Sequence, residues 1–165
     1  MKTKILVLVV IFGLISFTGC SQDDKRTDFK FPEYVGFVND FEEIFTQDQI
    51  KELNETISIH EKETTNEIAI VTISSFEPYE TLFDYSLNLA NYWGIGKKDK
   101  NNGIAIVFGL KIRQISIQVG KGLENKLKDD EAKNIIDNVI IPEFKKGDSF
   151  AGIKKGLIAI INKIK

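Results

Sequence analysis

A chain of 165 residues, 42% apolar and 28% charged, is long enough for one hydrophobic core and too short for two ordinary domains. A net charge of −2 offers none of the dense basic surface on which nucleic-acid binding rests. One cysteine rules out an intrachain disulfide, and one cysteine with one histidine argues against a zinc or iron centre built from those ligands.

At the amino terminus, Lys2 and Lys4 precede an apolar run from Ile5 to Ile15 that fades into "SFTG" before Cys20. The run is shorter than the roughly 20 residues a membrane-spanning helix needs, so it reads as a secretory signal over residues 1–19. "FTGC" resembles a bacterial lipobox, with Phe17 in place of the usual leucine. It implies that Cys20 becomes the acylated first residue of the mature chain and binds it to a membrane. Loss of Lys2 and Lys4 with the signal leaves 20 basic against 24 acidic residues, a net charge of −4. Ser21 after the cysteine, rather than aspartate, resembles the outer-membrane sorting signal of Gram-negative lipoproteins. Residues 20–33, "CSQDDKRTDFKFPE", are polar and contain Pro32, and read as an extended tether ahead of a folded domain over residues 34–165.

Thr46 and Gln49 fit a capping box, with Ile50, Leu53 and Ile57 following at helical spacing, which predicts a helix over 47–63. The β-branched run "EIAIVTI", residues 67–73, predicts a strand covered on both faces. Leu82, Tyr85, Leu89 and Trp93 predict a second helix that stops at Gly94. "GIAIVFG", residues 103–109, predicts another buried strand, and strand, helix, strand in this order implies a right-handed parallel crossover. In "IRQISIQVG", Ile115, Ile117 and Val119 alternate with Gln114, Ser116 and Gln118, so the polar set is expected to face water. The short connection before it forces an antiparallel hairpin. Two further apolar stripes follow: Ala132, Ile135, Ile136 and Val139, then Ile153, Leu157, Ile160, Ile161 and Ile164. Pro142 separates them, and Asp148 or Ser149 can cap the last helix. The sum is an α/β fold, a small mixed β-sheet sandwiched between helices.

The glycine- and lysine-rich stretch "GIGKKDKNNG", residues 94–103, follows a helix and leads into a strand. A phosphate loop or dinucleotide fingerprint needs the reverse order, so no nucleotide is expected. His60 falls on a polar part of the first helix and is expected to be solvated. What remains is oxygen chemistry at element boundaries: Asp40, Asn101, Asn102, Glu124 and Asp148, each of which taken alone can be a cap or turn residue.

Taken in order, "VNDF", "NEIAIVTI", "YWGIGKKDKNNG", "IAIVF", "RQISIQVGKGLE" and "IIPEFKKGDSFAGIKKGLIAII" resemble the TPM-domain family over about residues 34–164. The resemblance implies the same α/β sandwich, an exported or membrane-associated protein, and in some members calcium held in an acidic pocket at one end of the sheet. Some plant members are described as acid phosphatases, and other members serve photosystem repair or the assembly and quality control of membrane complexes. Carried over by position, Asp40, Asn101, Asn102, Glu124 and Asp148 are the implied metal ligands. Asn101 stands where members commonly have aspartate and Lys121 where many have tyrosine, and both changes weaken cation attraction. The loop 94–103 then displays its lysines to solvent and brings Asn101 and Asn102 to the pocket rim.

The expected function is a lipid-anchored envelope binding module, with calcium as its candidate cofactor and a membrane protein as its partner. The alternatives are a metal-dependent acid phosphatase, using Asp40, Glu124 and Asp148 to hold the cation, and a metal-free interaction scaffold.

Overall fold

The computed structural model describes residues 29–165. The signal segment, Cys20 and most of the tether lie outside the described residues. The described chain folds as β1 (Val38–Asp40), α1 (Gln47–Thr64), β2 (Glu67–Thr72), α2 (Leu82–Trp93), β3 (Gly103–Gly109), β4 (Gln114–Val119), α3 (Asp129–Ile135), a π-helical turn (Ile136–Ile140), α4 (Ile141–Lys145) and α5 (Ser149–Ile164). The four strands lie in the order β1-β2-β3-β4, parallel from β1 to β3 and antiparallel between β3 and β4. The mixed sheet predicted from the sequence is therefore the one observed.

The two central strands are buried on both faces, which is why they read as unbroken apolar runs. Ile68, Ile70, Ile104, Ile106 and Phe108 point to one layer, where α1, α3 and α5 supply Leu53, Ile57, Ile135, Ile153, Leu157 and Ile160. Val71, Ala105 and Val107 point to the other, packed against Leu82, Tyr85 and Leu89 of α2. Helix α1 starts with the predicted capping box of Thr46 and Gln49, and α2 stops at Gly94 in the left-handed region at φ 67°.

Phe29 and Phe31, assigned from the sequence to the tether, pack edge-on to Tyr85, with ring centroids 6.2 and 5.3 Å away. Trp93 Nε1 donates to the Pro32 carbonyl at 2.9 Å. Apolar side chains at alternate positions found a surface beside α2, so the packed chain starts by Phe29 rather than at residue 34.

Two further expectations are corrected. Pro142 does not separate helical segments by a break. The chain stays helical from α3 into α4: the Ile141 N–H closes a π-type turn on the Ile136 carbonyl, and Pro142 falls in the first turn of α4, where a missing N–H is tolerated. The polar face of β4 meets water only at Gln114, since Ser116 and Gln118 are buried beneath α2. Gln118 Nε2 donates to Ser86 Oγ at 2.8 Å and to Ser116 Oγ at 3.0 Å, and Ser86 Oγ donates to Ser116 Oγ at 3.1 Å. Alternation marked the two faces correctly, but a small polar network beneath a helix satisfies the side that periodicity assigned to solvent. Gln118→Ala is expected to lower stability by about 1–2 kcal/mol, read as a lower urea midpoint, because it strips this network of its main donor.

Candidate functional site

Asp40 ends β1 beside Thr72, the last residue of β2. Its Oδ1 accepts from Thr72 Oγ1 at 2.6 Å and its Oδ2 from the Phe45 N–H at 2.8 Å, so both carboxylate oxygens hold the connection from β1 to α1. Thr72 Oγ1 accepts in turn from the Glu42 N–H at 2.9 Å. The Glu42 carboxylate takes the N–H of Leu110 at 2.8 Å, which pins the β3–β4 hairpin to the same end of the sheet. Asp148 lies at this end too, as the N-cap of α5, accepting from the Ala151 N–H at 2.9 Å.

Asn101, Asn102 and Glu124 lie at the opposite end. Asn102 directly precedes β3 and is buried. Its Oδ1 accepts from the Lys97 N–H at 2.9 Å, and its Nδ2 donates to the Thr65 carbonyl at 2.9 Å and to Asn66 Oδ1 at 3.1 Å. Its backbone carbonyl accepts from the Glu67 N–H at 3.1 Å. One amide thus ties three segments together. Glu67 reaches the same loop, accepting from the Gly96 N–H at 2.6 Å and pairing with Lys97 Nζ. That carboxylate holds the Lys97 ammonium above its usual pKa range. Lys100 Nζ donates to Thr65 Oγ1 at 2.8 Å.

The lysines of the glycine- and lysine-rich loop are exposed as expected, with Lys97 and Lys100 also fastening it to Glu67 and Thr65. The pocket-rim role is corrected: Asn102 is the loop's buried hub. The glycines permit backbone to lie on backbone: a Cβ on Gly103 would fall 2.1 Å from the Ile95 carbonyl oxygen, and one on Gly122 2.0 Å from that of Lys100. Asn101, exposed and at φ 48°, accepts through its carbonyl from the Gly122 N–H at 2.9 Å. Glu124 is exposed nearby.

The five residues therefore do not converge. Asp40 and Asp148 are separated from Asn101, Asn102 and Glu124 by the length of β3, seven residues or about 20 Å. Calcium requires six to eight oxygens around one point. Among the described residues no three acidic, histidine or cysteine side chains gather closely enough to hold a metal ion. The donor set does not fit a shared calcium site, and no step is derived through one. The partners Thr65, Asn66, Glu67 and Thr72 were not singled out from the sequence, where only the polar residues flanking β2 hinted at them.

His60, expected to be solvated, is 2% exposed. Thr64 Oγ1 donates to the His60 carbonyl at 2.8 Å and lies 3.3 Å from His60 Nε2, an arrangement that leaves the hydroxyl oxygen to accept from Nε2–H. Nδ1 is then a bare acceptor with no partner. Burial, reinforced by Lys165 and Lys126, pushes the His60 pKa below its ordinary 6.5. The unfolded chain thus takes up the proton more readily than the folded one. The stability this neutral imidazole allows is fully present above pH 6.5 and falls as pH drops below it. Urea midpoints measured between about pH 8 and pH 5 should show this decline, and His60→Leu should flatten it. Burial also pushes the Tyr85 phenol up to about 12, with Tyr79 adding, so Tyr85 is no acid or base near neutral pH.

A family model described as the TPM domain matches residues 38–163. The N-terminal domain of a Porphyromonas gingivalis protein, solved in solution, is similar at 30% identity and a TM-score of 0.71, over 77% of this chain and 80% of that one. The BA42 protein of the psychrophile Bizionia argentinensis shares the fold at 22% identity and a TM-score of 0.64, over 75% of this chain and 83% of that one. The N-terminal domain of the cg2496 protein of Corynebacterium glutamicum shares it at 15% identity and a TM-score of 0.60, over 83% and 86%. No curated protein matches the chain. With the family model spanning the whole sheet and all of its covering helices, the chain belongs to the TPM-domain family.

Proposed function

We propose that the protein is a lipid-anchored binding module of the cell envelope, acting on the assembly, repair or quality control of membrane proteins. The observation that carries this reading is paired apolar exposure. On α2, Phe83 and Leu87 stand one turn apart, 59% and 41% exposed. Beside its far end, Tyr92, 65% exposed, lies 5.3 Å from the ring of Phe31, and Tyr34 lies 5.2 Å from that of Trp93. Exposed apolar side chains grouped in this way are the material of interaction sites. By contrast, both carboxylate oxygens of Asp40 and the whole amide of Asn102 go into bonds that build the fold, and Asp148 Oδ1 caps α5.

The anchor belongs to Cys20, and the polar residues 21–28 would give the domain its reach. Ser21 favours the outer membrane. Multiple acyl chains, each methylene contributing about 0.8 kcal/mol, would hold the protein firmly where one chain would not. A metal-dependent acid phosphatase draws on Asp40 and Asp148, which share one end of the sheet, but the positions of their hydrogen-bond partners favour the binding reading.

Membrane fractionation combined with photocrosslinking from position 92 tests the proposal. Wild-type protein should sediment with membranes and crosslink to an integral membrane protein, and Cys20→Ala should lose both. Phosphate release that tracks an added divalent cation and disappears in Asp40→Ala would overturn it in favour of the phosphatase.

A further inference from the structure

The sheet has two edges, and they are treated differently. At one, β1 has only three residues. At the other, β4 presents six residues, Gln114–Val119, with neither a charge nor a proline among them. Soluble proteins usually blunt such an edge with lysine, proline, a bulge or brevity. The register shows which backbone groups it offers. The Gly120 N–H donates to the Gly103 carbonyl, and Ala105 and Val107 pair with Gln118 and Ser116. Ser116 and Gln118 therefore turn their backbone groups to β3, and Ile115 and Ile117 turn theirs outward.

The outward edge is recessed. It floors a groove of about 600 Å³ walled by Thr81 and Phe83 at the start of α2 and by Asp129, Ala132, Lys133 and Ile136 on the α3 side. A second cavity of about 600 Å³ continues it at the hairpin end, where Arg113 and Lys145 flank Ile115, Ile141 and Phe144. Among the described residues, the side chains of Arg113 and Lys145 have no ion-pair or hydrogen-bond partner. The groove is thus basic at the start of β4, and on its α3 wall Asp129 stands with Lys133, whose ammonium pairs with Asp137.

We propose that the β4 edge binds an extended peptide, which adds to the sheet as a fifth, antiparallel strand with its C-terminal carboxylate between Arg113 and Lys145. Antiparallel addition continues the β3–β4 pairing and gives the stronger ladder. It also places the peptide's carboxylate at the basic start of β4. The outward N–H and C=O groups of Ile115 and Ile117 supply affinity without reading sequence, and the apolar floor selects alternate side chains. A second copy of this chain is disfavoured as occupant, because two edges each sunk between helices cannot meet. The inference rests on the binding-module reading and names the site and ligand chemistry it would use.

The probe is a six-residue peptide of alternating valine and threonine with a free carboxylate, matched to the six residues of β4, added to the full chain and followed by NMR amide exchange. The Ile115 and Ile117 amides should become protected, while Ser116 and Gln118 stay as they were. Amidating the peptide, or introducing Arg113→Glu, should weaken binding by about tenfold. Lys145→Glu, on the exposed last turn of α4, serves as a second charge reversal should Arg113→Glu disturb its turn. Absence of protection at about 1 mM peptide, protection elsewhere than β4, or equal binding of the amidated peptide would overturn the proposal. Such an outcome with the crosslink from position 92 intact would retire this site and leave the binding module standing.

Discussion

Gly103→Ala is expected to cost about 3 kcal/mol or more, a large share of the stability of a domain this size, and to leave little folded protein at 37 °C. The added methyl would sit 2.1 Å from the Ile95 carbonyl oxygen and 2.8 Å from the Gly96 nitrogen. These are backbone atoms on a segment already held by Glu67 and Asn102, so no side chain can swing aside. Gly147→Ala is the control. Its Cβ would meet nothing within 4 Å, and only its positive φ of 86° opposes the change, a penalty of about 1 kcal/mol. Denaturant midpoints of the two variants measure the difference. Equal losses would mean that the loop before β3 gives way, contrary to the close backbone contact described.

The second large effect is expected for Asn102→Ala, about 3 kcal/mol. The substitution leaves the Lys97 N–H, the Thr65 carbonyl and the Asn66 amide without their shared partner in a site that is 4% exposed. Asn101→Ala, one residue earlier, should cost about 1 kcal/mol, set by its positive φ of 48°, because that side chain is exposed and its backbone carbonyl makes the bond to Gly122. Thermal unfolding of both variants separates a buried hub from a surface ligand. A ligand pair at a pocket rim would respond alike in stability and differ only in metal affinity.

These two residues also show what the sequence conveys and what it withholds. The 3.6-residue spacing of Leu82, Tyr85, Leu89 and Trp93 placed α2, and the β-branched runs placed β2 and β3, because burial of one stripe or of both faces leaves a periodic trace. Strand β1 left no such trace. It is three residues long, and parallel pairing with β2, not its own pattern, makes it a strand. The candidate site was legible only as a set of residue types at element boundaries. Which end of the sheet each boundary occupies follows from strand direction, and that divides Asp40 and Asp148 from Asn101, Asn102 and Glu124. Burial of single polar residues was the least legible feature. His60, Ser116 and Gln118 are all enclosed, because the C-terminal residues or α2 arrive to cover them from far along the chain.

These five residues hold two separate ends of the fold and do not share one ligand. Calcium titration of the full chain followed by thermal unfolding, repeated with Asp40→Asn and with Glu124→Ala, tests it most directly. No calcium-dependent rise in Tm that both substitutions abolish is expected. A saturable rise at or below about 1 mM calcium, lost in each variant, would mean that residues about 20 Å apart along β3 act on one ion, and would contradict it.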